Sequence, residues 1–270
     1  MSNRDFQRDY YDVHFNRRAS AVRDQQAHPL FRSFNDRLAG EILDAAGVAI
    51  SSTVRVFEPG CGEGLVGAAL ERVAAARGLG LAYTGADLSR SALDVARTSV
   101  AGEFLAGDAA ETAAALAPGS QDVVVAKNLL HHLDDPARFL RAAAGALAPG
   151  GRVVAFEPRL GCPQFLLFNV LAARRERHYF RGQGRNATAF EAAGLEVVDR
   201  RRFSWLPYEL AFVIRPGLFR RMFGTANPTV IRKVSGADDR LAAILPWMAC
   251  YEVWVASAPS LPRVAGTNSV

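Results

Sequence analysis

Short apolar segments alternate with longer segments of good helix formers between residues 49 and 158, after a stretch of helical pattern at 1–48. Short apolar or β-branched runs are typical of buried strands, and the segments between them carry helix-start and helix-stop signals. Alternation of this kind implies βαβ crossovers, so we expect a mainly parallel sheet with helices on both faces. The predicted strands are Val54–Phe57, Leu81–Ala86, Phe104–Ala106, Asp122–Ala126 and Arg152–Phe156, and the predicted helices are 65–76, 89–99 and 137–147.

The alternation stops after residue 158. Thr188 and Glu191 have the spacing of a capping box, which predicts a helix beginning at Thr188, and Gly194 is suited to end it. The other elements expected here are a sixth strand at 195–199, a long proline-containing insertion at 204–247 and a last strand at 249–256.

The composition predicts a globular protein that contains no membrane-spanning segment or metal-binding cysteine motif. The 270 residues are 50% hydrophobic and 22% charged, which is ordinary for a globular chain. Cys61, Cys162 and Cys250 are far apart and show no metal-ligand spacing, so we expect a reduced, cytoplasmic protein without a metal. The polar N-terminus predicts no signal peptide, and every apolar run is shorter than the ~20 residues of a membrane span.

A glycine-rich loop follows the first predicted strand. Glycines at 60, 62 and 64 lie between that strand and the next helix, where glycine lets the backbone turn sharply and approach a ligand. The glycines at 62, 64 and 67 also fit a dinucleotide-binding pattern, with Asp87 at the distance of its ribose-binding acid. A nicotinamide-dependent or flavin-dependent oxidoreductase is therefore one alternative at this point.

Three further features favour a different ligand. Glu58 ends the first strand, where a carboxylate suits a positively charged ligand and repels a pyrophosphate. Asp108 follows the third strand within Gly-Asp-Ala, where an adenine amino group can be held. The fourth strand leads into Lys127-Asn128-Leu-Leu-His-His-Leu, and the fifth is preceded by Leu-Ala-Pro-Gly-Gly-Arg152.

In this order the motifs resemble those of the class I S-adenosylmethionine-dependent methyltransferases, in particular the group that acts on small molecules and lipids. The resemblance covers residues 50–158 well and 187–200 loosely. It implies an α/β fold with a Rossmann-like seven-stranded sheet, strand order 3-2-1-4-5-7-6, and the last strand antiparallel. It also implies S-adenosyl-L-methionine as the cofactor.

The resemblance assigns parts of the cofactor to this chain. The loop from Glu58 to Gly64 contacts the methionine part, Asp87 holds both ribose hydroxyls, and Asp108 with the backbone of Ala109 contacts adenine. Asn128 lies beside the cofactor at the tip of the fourth strand. The expected cofactor-binding residues are Glu58, Gly60, Cys61, Gly62, Gly64, Asp87, Leu88, Asp108, Ala109 and Asn128.

Candidate catalytic residues are His131, His132 and Glu157. Methyl transfer to a hydroxyl requires alignment of the reacting atoms and removal of a proton, for which histidine is the usual base near neutral pH. In similar O-methyltransferases one histidine of such a pair is the proposed base, assisted by an acid after strand five, which is Glu157 here. A carbon acceptor also needs a base, so the histidines leave both acceptors open.

Charge is distributed unevenly along the chain. Residues 1–158 carry a net charge of −3 and residues 159–270 a net charge of +8, with five arginines between Arg174 and Arg185. This segment is predicted to clamp an anionic substrate, to contact anionic lipid, or to be a solvated face. The candidate substrate-binding residues are Tyr11, Arg159 and Arg174. Basic and aromatic residues interleave too sparsely to predict nucleic-acid binding.

We therefore expect one methyltransferase domain over residues 1–258 that acts on a small molecule, either anionic or lipid-like, such as a secondary metabolite or lipid precursor. The alternatives are a cofactor-binding protein without methyl transfer and an NAD(P)-dependent oxidoreductase. The acceptor and the oligomeric state are not predicted. The expected parts are a helical lid at 1–48, a cofactor-binding core at 49–158, a cap-bearing half at 159–247, the last strand at 248–258 and a disordered tail at 259–270.

Overall fold

A computed structural model describes residues 29–47, 52–159, 184–203 and 251–258, together with residues 162, 233, 240, 244, 245, 247 and 249. Within these ranges the strands are β1 (Thr53–Pro59), β2 (Gly80–Asp87), β3 (Glu103–Ala106), β4 (Gln121–Lys127), β5 (Leu147–Pro158), β6 (Glu196–Phe203) and β7 (Tyr251–Ser257). The helices are α1 (Pro29–Ala46), α2 (Leu65–Ala76), α3 (Arg90–Ser99), α4 (Ala109–Ala115), α5 (Pro136–Ala146) and α6 (Gly184–Ala192), with a 3-10 turn at Leu130–His132.

The strands form one seven-stranded sheet in the order β3-β2-β1-β4-β5-β7-β6. β7 is antiparallel to both of its neighbours, whereas β1 to β5 pair in parallel. The predicted order and the antiparallel last strand are confirmed. The carboxyl ends of the parallel strands consequently meet at one edge, where ligands of open α/β sheets bind.

Helices cover both faces of the sheet, as predicted. On one face the core is built from α1, α2 and α3, with Phe34, Leu38 and Leu70 among its buried side chains. On the other face it is built from α4, α5 and α6, and there Phe190 stacks on Trp254 of β7 with ring centroids 5.7 Å apart. β1 to β5 and β7 supply both cores because successive side chains of a strand point to opposite faces.

Helix-capping residues fix two of the crossovers. Ser89 precedes α3, and its hydroxyl accepts a hydrogen bond from the Ala92 N–H. Asp135 caps α5 by accepting from the Arg138 N–H, and Pro136 occupies the first turn. Both caps involve residues close in sequence, which is why the helix ranges beginning near 89 and 137 could be predicted.

Two sequence predictions after residue 146 were wrong in detail. α6 begins at Gly184, so Thr188 lies inside the helix instead of capping it. Asn186 is buried as well as Phe190, so packing holds the turn before Thr188 and overrides the local signal. The turn predicted at Pro149–Gly151 lies within β5, where the β4–β5 register shifts and Gly150 has φ 81°.

Tyr11, Arg174, the predicted tail and most of the predicted lid and cap lie outside the described residues. Among the residues that are described, no helix combines the length and apolar character needed to cross a membrane.

Candidate active site

A cleft of about 460 Å³ opens at the carboxyl edge of the sheet, above β1, β2 and β4. Nine of the ten predicted cofactor-binding residues line it: Glu58, Gly60, Cys61, Gly62, Asp87, Leu88, Asp108, Ala109 and Asn128. The tenth, Gly64, does not line the cleft. A side chain there would meet Ala96 and Val100 at 3.1 Å, so Gly64 lets α2 approach α3 closely.

The glycine loop is anchored on β2. The N–H groups of Gly60 and Cys61 both donate to the Ala86 carbonyl, at 2.7 and 3.0 Å. Gly62 has φ 53°, in the left-handed region, and a side chain built on it would meet no atom within 4 Å. The space beside Gly62 is thus left open at the cleft, as expected where a ligand approaches the backbone.

Asp87 is held in place by backbone donors. Its Oδ2 accepts from the Gly62 N–H and its Oδ1 from the Ser89 N–H, both at 2.9 Å. A carboxylate has about four lone-pair sites, more than these two hydrogen bonds use. The two backbone bonds fix the orientation in which Asp87 can accept hydroxyl groups.

Glu58 is buried at the floor of the cleft and accepts a hydrogen bond of 2.6 Å from the Tyr83 hydroxyl. Burial raises the pKa of Glu58 to about 7, and the nearby Asp87 charge acts in the same direction. The Tyr83 bond and the positive charge of Lys127 act against this shift. A cation bound beside Glu58 would therefore favour its charged form.

Sequence reasoning missed Tyr83. Its ring lies where a side chain at position 67 would be, since a Cβ on Gly67 would come within 2.6 Å of the Tyr83 ring. The third glycine of the apparent dinucleotide pattern therefore makes room for the residue that binds Glu58. A tyrosine in the middle of a strand gave no local signal of this contact.

The raised pKa of Glu58 predicts a pH-dependent stability. In the ligand-free protein, the folded state keeps a proton between pH 4.5 and about 7 that the unfolded chain releases. Stability from this group is therefore complete below about pH 4.5 and is lost as the pH rises through about 7, by about 3 kcal/mol in all. Urea unfolding at pH 5 and pH 7.5 should show this loss in the wild type and a smaller one in Glu58→Gln. Equal losses in the two proteins would contradict the assignment.

Asp108 and Asn128 line the cleft at the ends of β3 and β4, respectively. Asp108 caps α4, which was not predicted, and its Oδ1 accepts from the N–H groups of Ala110 and Glu111 at 2.9 and 3.3 Å. Its other oxygen is not used by this cap. Asn128 has φ 52°, and its buried Oδ1 accepts no hydrogen bond from the described part of the chain. Asp108 thus offers an acceptor oxygen at the cleft, whereas the Asn128 Oδ1 is buried.

Glu157 links the histidine pair to the end of β4. Its Oε1 accepts from the N–H groups of Leu129 and Leu130 at 2.9 and 2.8 Å, and its Oε2 lies 2.6 Å from His131 Nδ1. His131 and Glu157 are buried, whereas half-buried His132 lines the cleft. The two histidine rings lie 4.0 Å apart. The three predicted residues are therefore brought together, with only His132 in the cleft wall.

Arg159 lies just beyond β5 and does not line the cleft. Its Nη1 donates to the Ala249 carbonyl at 2.9 Å, which ties the end of β5 to the approach to β7. A role for Arg159 in substrate binding stays a prediction, as it does for Tyr11 and Arg174.

The cleft is acidic although the chain carries a net charge of +5. Its lining includes six carboxylates (Glu58, Glu63, Asp87, Asp108, Asp134 and Asp135) and two permanently charged cations (Lys127 and Arg138). Such a lining attracts a cationic ligand and disfavours the pyrophosphate of a dinucleotide.

Comparisons with known proteins agree on one family. The family described as a methyltransferase domain matches residues 57–155. The ubiquinone biosynthesis O-methyltransferase of Bordetella pertussis is 32% identical over 190 residues, which cover 65% of this chain and 75% of that protein. The protein of the same name from Ralstonia nicotianae is 41% identical over 103 residues, which cover 37% of this chain and 41% of that protein. The chain thus spans less than half the length of the Ralstonia protein.

A solved structure shares the fold over nearly the whole chain. The magnesium protoporphyrin IX methyltransferase of Synechocystis, with S-adenosylhomocysteine bound, aligns with a TM-score of 0.59 and 13% sequence identity. The alignment covers 96% of this chain and 100% of that one.

Proposed function

Because the chain belongs to the class I S-adenosylmethionine-dependent methyltransferases, we propose that it transfers a methyl group from S-adenosylmethionine to a hydroxyl oxygen of a small molecule. The observation that carries the proposal is the acidic cleft, in which Glu58, Asp87 and Asp108 follow one another along the strand ends. The name of the relatives, ubiquinone biosynthesis O-methyltransferase, supports oxygen as the acceptor atom.

The residues of the cleft fit this cofactor. Asp87, oriented by the Gly62 and Ser89 N–H groups, accepts hydrogen bonds from the ribose hydroxyls. The oxygen of Asp108 that the α4 cap does not use accepts from the adenine amino group. Glu58 receives the positive charge of the amino-acid end, and the space beside Gly62 admits the ligand. When bound, the cofactor supplies an electrophilic methyl group on a sulfonium.

The histidine pair supplies the base for the acceptor hydroxyl. Glu157 accepts from Nδ1 of His131, which leaves the other ring nitrogen as the acceptor in the neutral tautomer. His132 packs on this ring and lines the cleft, so the arrangement favours His132 for direct contact with the hydroxyl. His131 and Glu157 then position it.

Calorimetry with S-adenosylhomocysteine and NADH, followed by transfer of a radiolabelled methyl group to a panel of phenols, alcohols and enols, tests the proposal. We expect binding of S-adenosylhomocysteine, no binding of NADH, and label on phenols or alcohols. Binding without transfer to any acceptor class would favour a cofactor-binding protein that does not transfer methyl groups. Label on enols alone would move the acceptor from oxygen to carbon.

We further propose that the acceptor is anionic, because the positive charge of the chain is concentrated after residue 158. Replacing Arg174, Arg175 and Arg177 by glutamine should raise the Michaelis constant for an anionic acceptor several-fold, since it removes three positive charges that would attract the anion. Binding of S-adenosylhomocysteine should not change. A variant released from anionic vesicles, with unchanged kinetics on a soluble acceptor, would indicate lipid contact instead.

A further inference from the structure

Lys127 is the last residue of β4 and lies in the wall of the cleft. Its Nζ is 5.7 Å from the centroid of the Phe34 ring of α1. Only two of the 32 basic residues in the chain are lysines, Lys127 and Lys233. Lysine supplies a compact ammonium that reaches a single acceptor group, whereas the arginine fork is broad and planar. The cleft therefore has a point-like positive charge at the end of its central strand.

Lys127 and Glu58 share one face of the sheet. Val56 of β1 pairs with Val123 of β4, so Val125 is opposite Glu58 and Lys127 lies two residues further along the same face. Val56 also pairs with Tyr83 of β2. Tyr83, Glu58 and Lys127 thus form a diagonal row across three strands, and Glu58 and Lys127 both line the cleft.

The order of three carboxylates across the sheet determines which way the proposed cofactor lies in the cleft. Asp108 follows β3, Asp87 ends β2 and Glu58 is on β1, so the positions run from the sheet edge towards β4. With adenine at Asp108 and ribose at Asp87, the amino-acid end must lie over β1 and β4. That end carries an ammonium and a carboxylate, and this part of the floor presents a carboxylate and an ammonium.

We propose that Lys127 binds the carboxylate of the amino-acid end of the methyl donor, beside Glu58, which binds its ammonium. The assignment rests on the proposed function. It makes Lys127 a residue that selects ligands with an intact amino-acid end. The other permanently charged cation of the cleft lining, Arg138, is carried by α5 on the opposite face of the sheet.

The test compares two ligands that differ only in the carboxylate. S-adenosylhomocysteine has it, and decarboxylated S-adenosylhomocysteine lacks it but keeps the ammonium. Lys127→Met keeps the unbranched stem against Phe34 and removes the charge. The dissociation constant for S-adenosylhomocysteine should rise at least about tenfold, as expected for loss of a charge-assisted bond, and that for the decarboxylated ligand should change less than about threefold. Lys233→Met, which alters the exposed second lysine, should change neither value.

Several results would overturn the assignment. Equal weakening of both ligands by Lys127→Met would show a structural effect, and unchanged affinity for S-adenosylhomocysteine would exclude the contact. A selective effect of Arg138→Gln, with Lys127→Met silent, would move the contact to α5. If Lys127→Met does not fold, the wild type still provides a test. Equal dissociation constants for the two ligands would exclude a contact between the protein and the carboxylate. Wild-type protein that binds neither ligand would overturn the proposed function, and this assignment with it.

Discussion

Replacing His132 by alanine should lower turnover by about 10²–10⁴-fold, the usual contribution of a positioned general base. His132 lines the cleft and packs on His131, whose Nδ1 is bonded to Glu157, so its removal takes away the proposed base for the acceptor hydroxyl. Affinity for S-adenosylhomocysteine should stay within about threefold, because the cofactor contacts proposed above involve other residues. Single-turnover methyl transfer and calorimetry measure the two quantities.

His131→Ala is the matched variant. It should reduce turnover less than His132→Ala, because His131 acts through its neighbour. The wild-type rate should fall at acid pH as imidazole becomes protonated, and this acid limb should disappear in His132→Ala. A larger loss in His131→Ala, with the acid limb retained in His132→Ala, would identify His131 as the base. Parallel loss of turnover and cofactor binding in both variants would indicate a structural role for the pair.

Replacing Asp87 by alanine should weaken binding of S-adenosylhomocysteine at least tenfold. Hydrogen bonds to a charged group are worth about 1.5–3 kcal/mol each, and Asp87 is proposed to accept from the ribose hydroxyls. The change also removes the acceptor of the Gly62 and Ser89 N–H groups, so the glycine loop loses an anchor. Calorimetry on protein whose folding has been checked by circular dichroism gives the affinity.

Asp94→Ala provides the control for Asp87→Ala. Asp94 is an exposed aspartate on α3 that pairs with Arg97 at 2.8 Å, and it does not line the cleft. Loss of an exposed pair costs less than about 1 kcal/mol and should leave ligand affinity unchanged. A folded Asp87→Ala protein with wild-type affinity would show that the ribose is not held there.

Only some residues at the floor of the cleft could be assigned a role from the sequence. Glu58, the glycine loop and Asp87 could be found because each lies at a strand end, within a few residues of a recognisable turn. Tyr83 and Lys127 could not be assigned, because their contacts depend on the registers of β2 and β4 against β1. Parallel registers join segments that are distant in sequence, and no local pattern encodes them.

The different roles of the glycines likewise could not be predicted from the sequence. The sequence predicted that Gly62 and Gly64 belong to one ligand-binding loop, and the positive φ of both agrees with the need for glycine. Only the packing distinguishes their roles, since Gly62 faces open space, Gly64 contacts α3, and Gly67 makes room for Tyr83. Each position reads only as glycine in the sequence, although the structural reason for glycine differs among the three.

By itself the sequence determined the alternation of strands and helices, and with it the edge at which ligands bind, because periodicity and caps are local properties. The family resemblance supplied the strand order and the candidate residues. Tertiary structure alone decided that Glu157 joins His131 to the β4 loop and that His132, not His131, lines the cleft. The 3-10 turn after β4 and the Glu157 carboxylate of β5 determine the directions of the two histidine side chains. Side-chain direction and burial depend on what packs against each residue, which only the folded chain specifies.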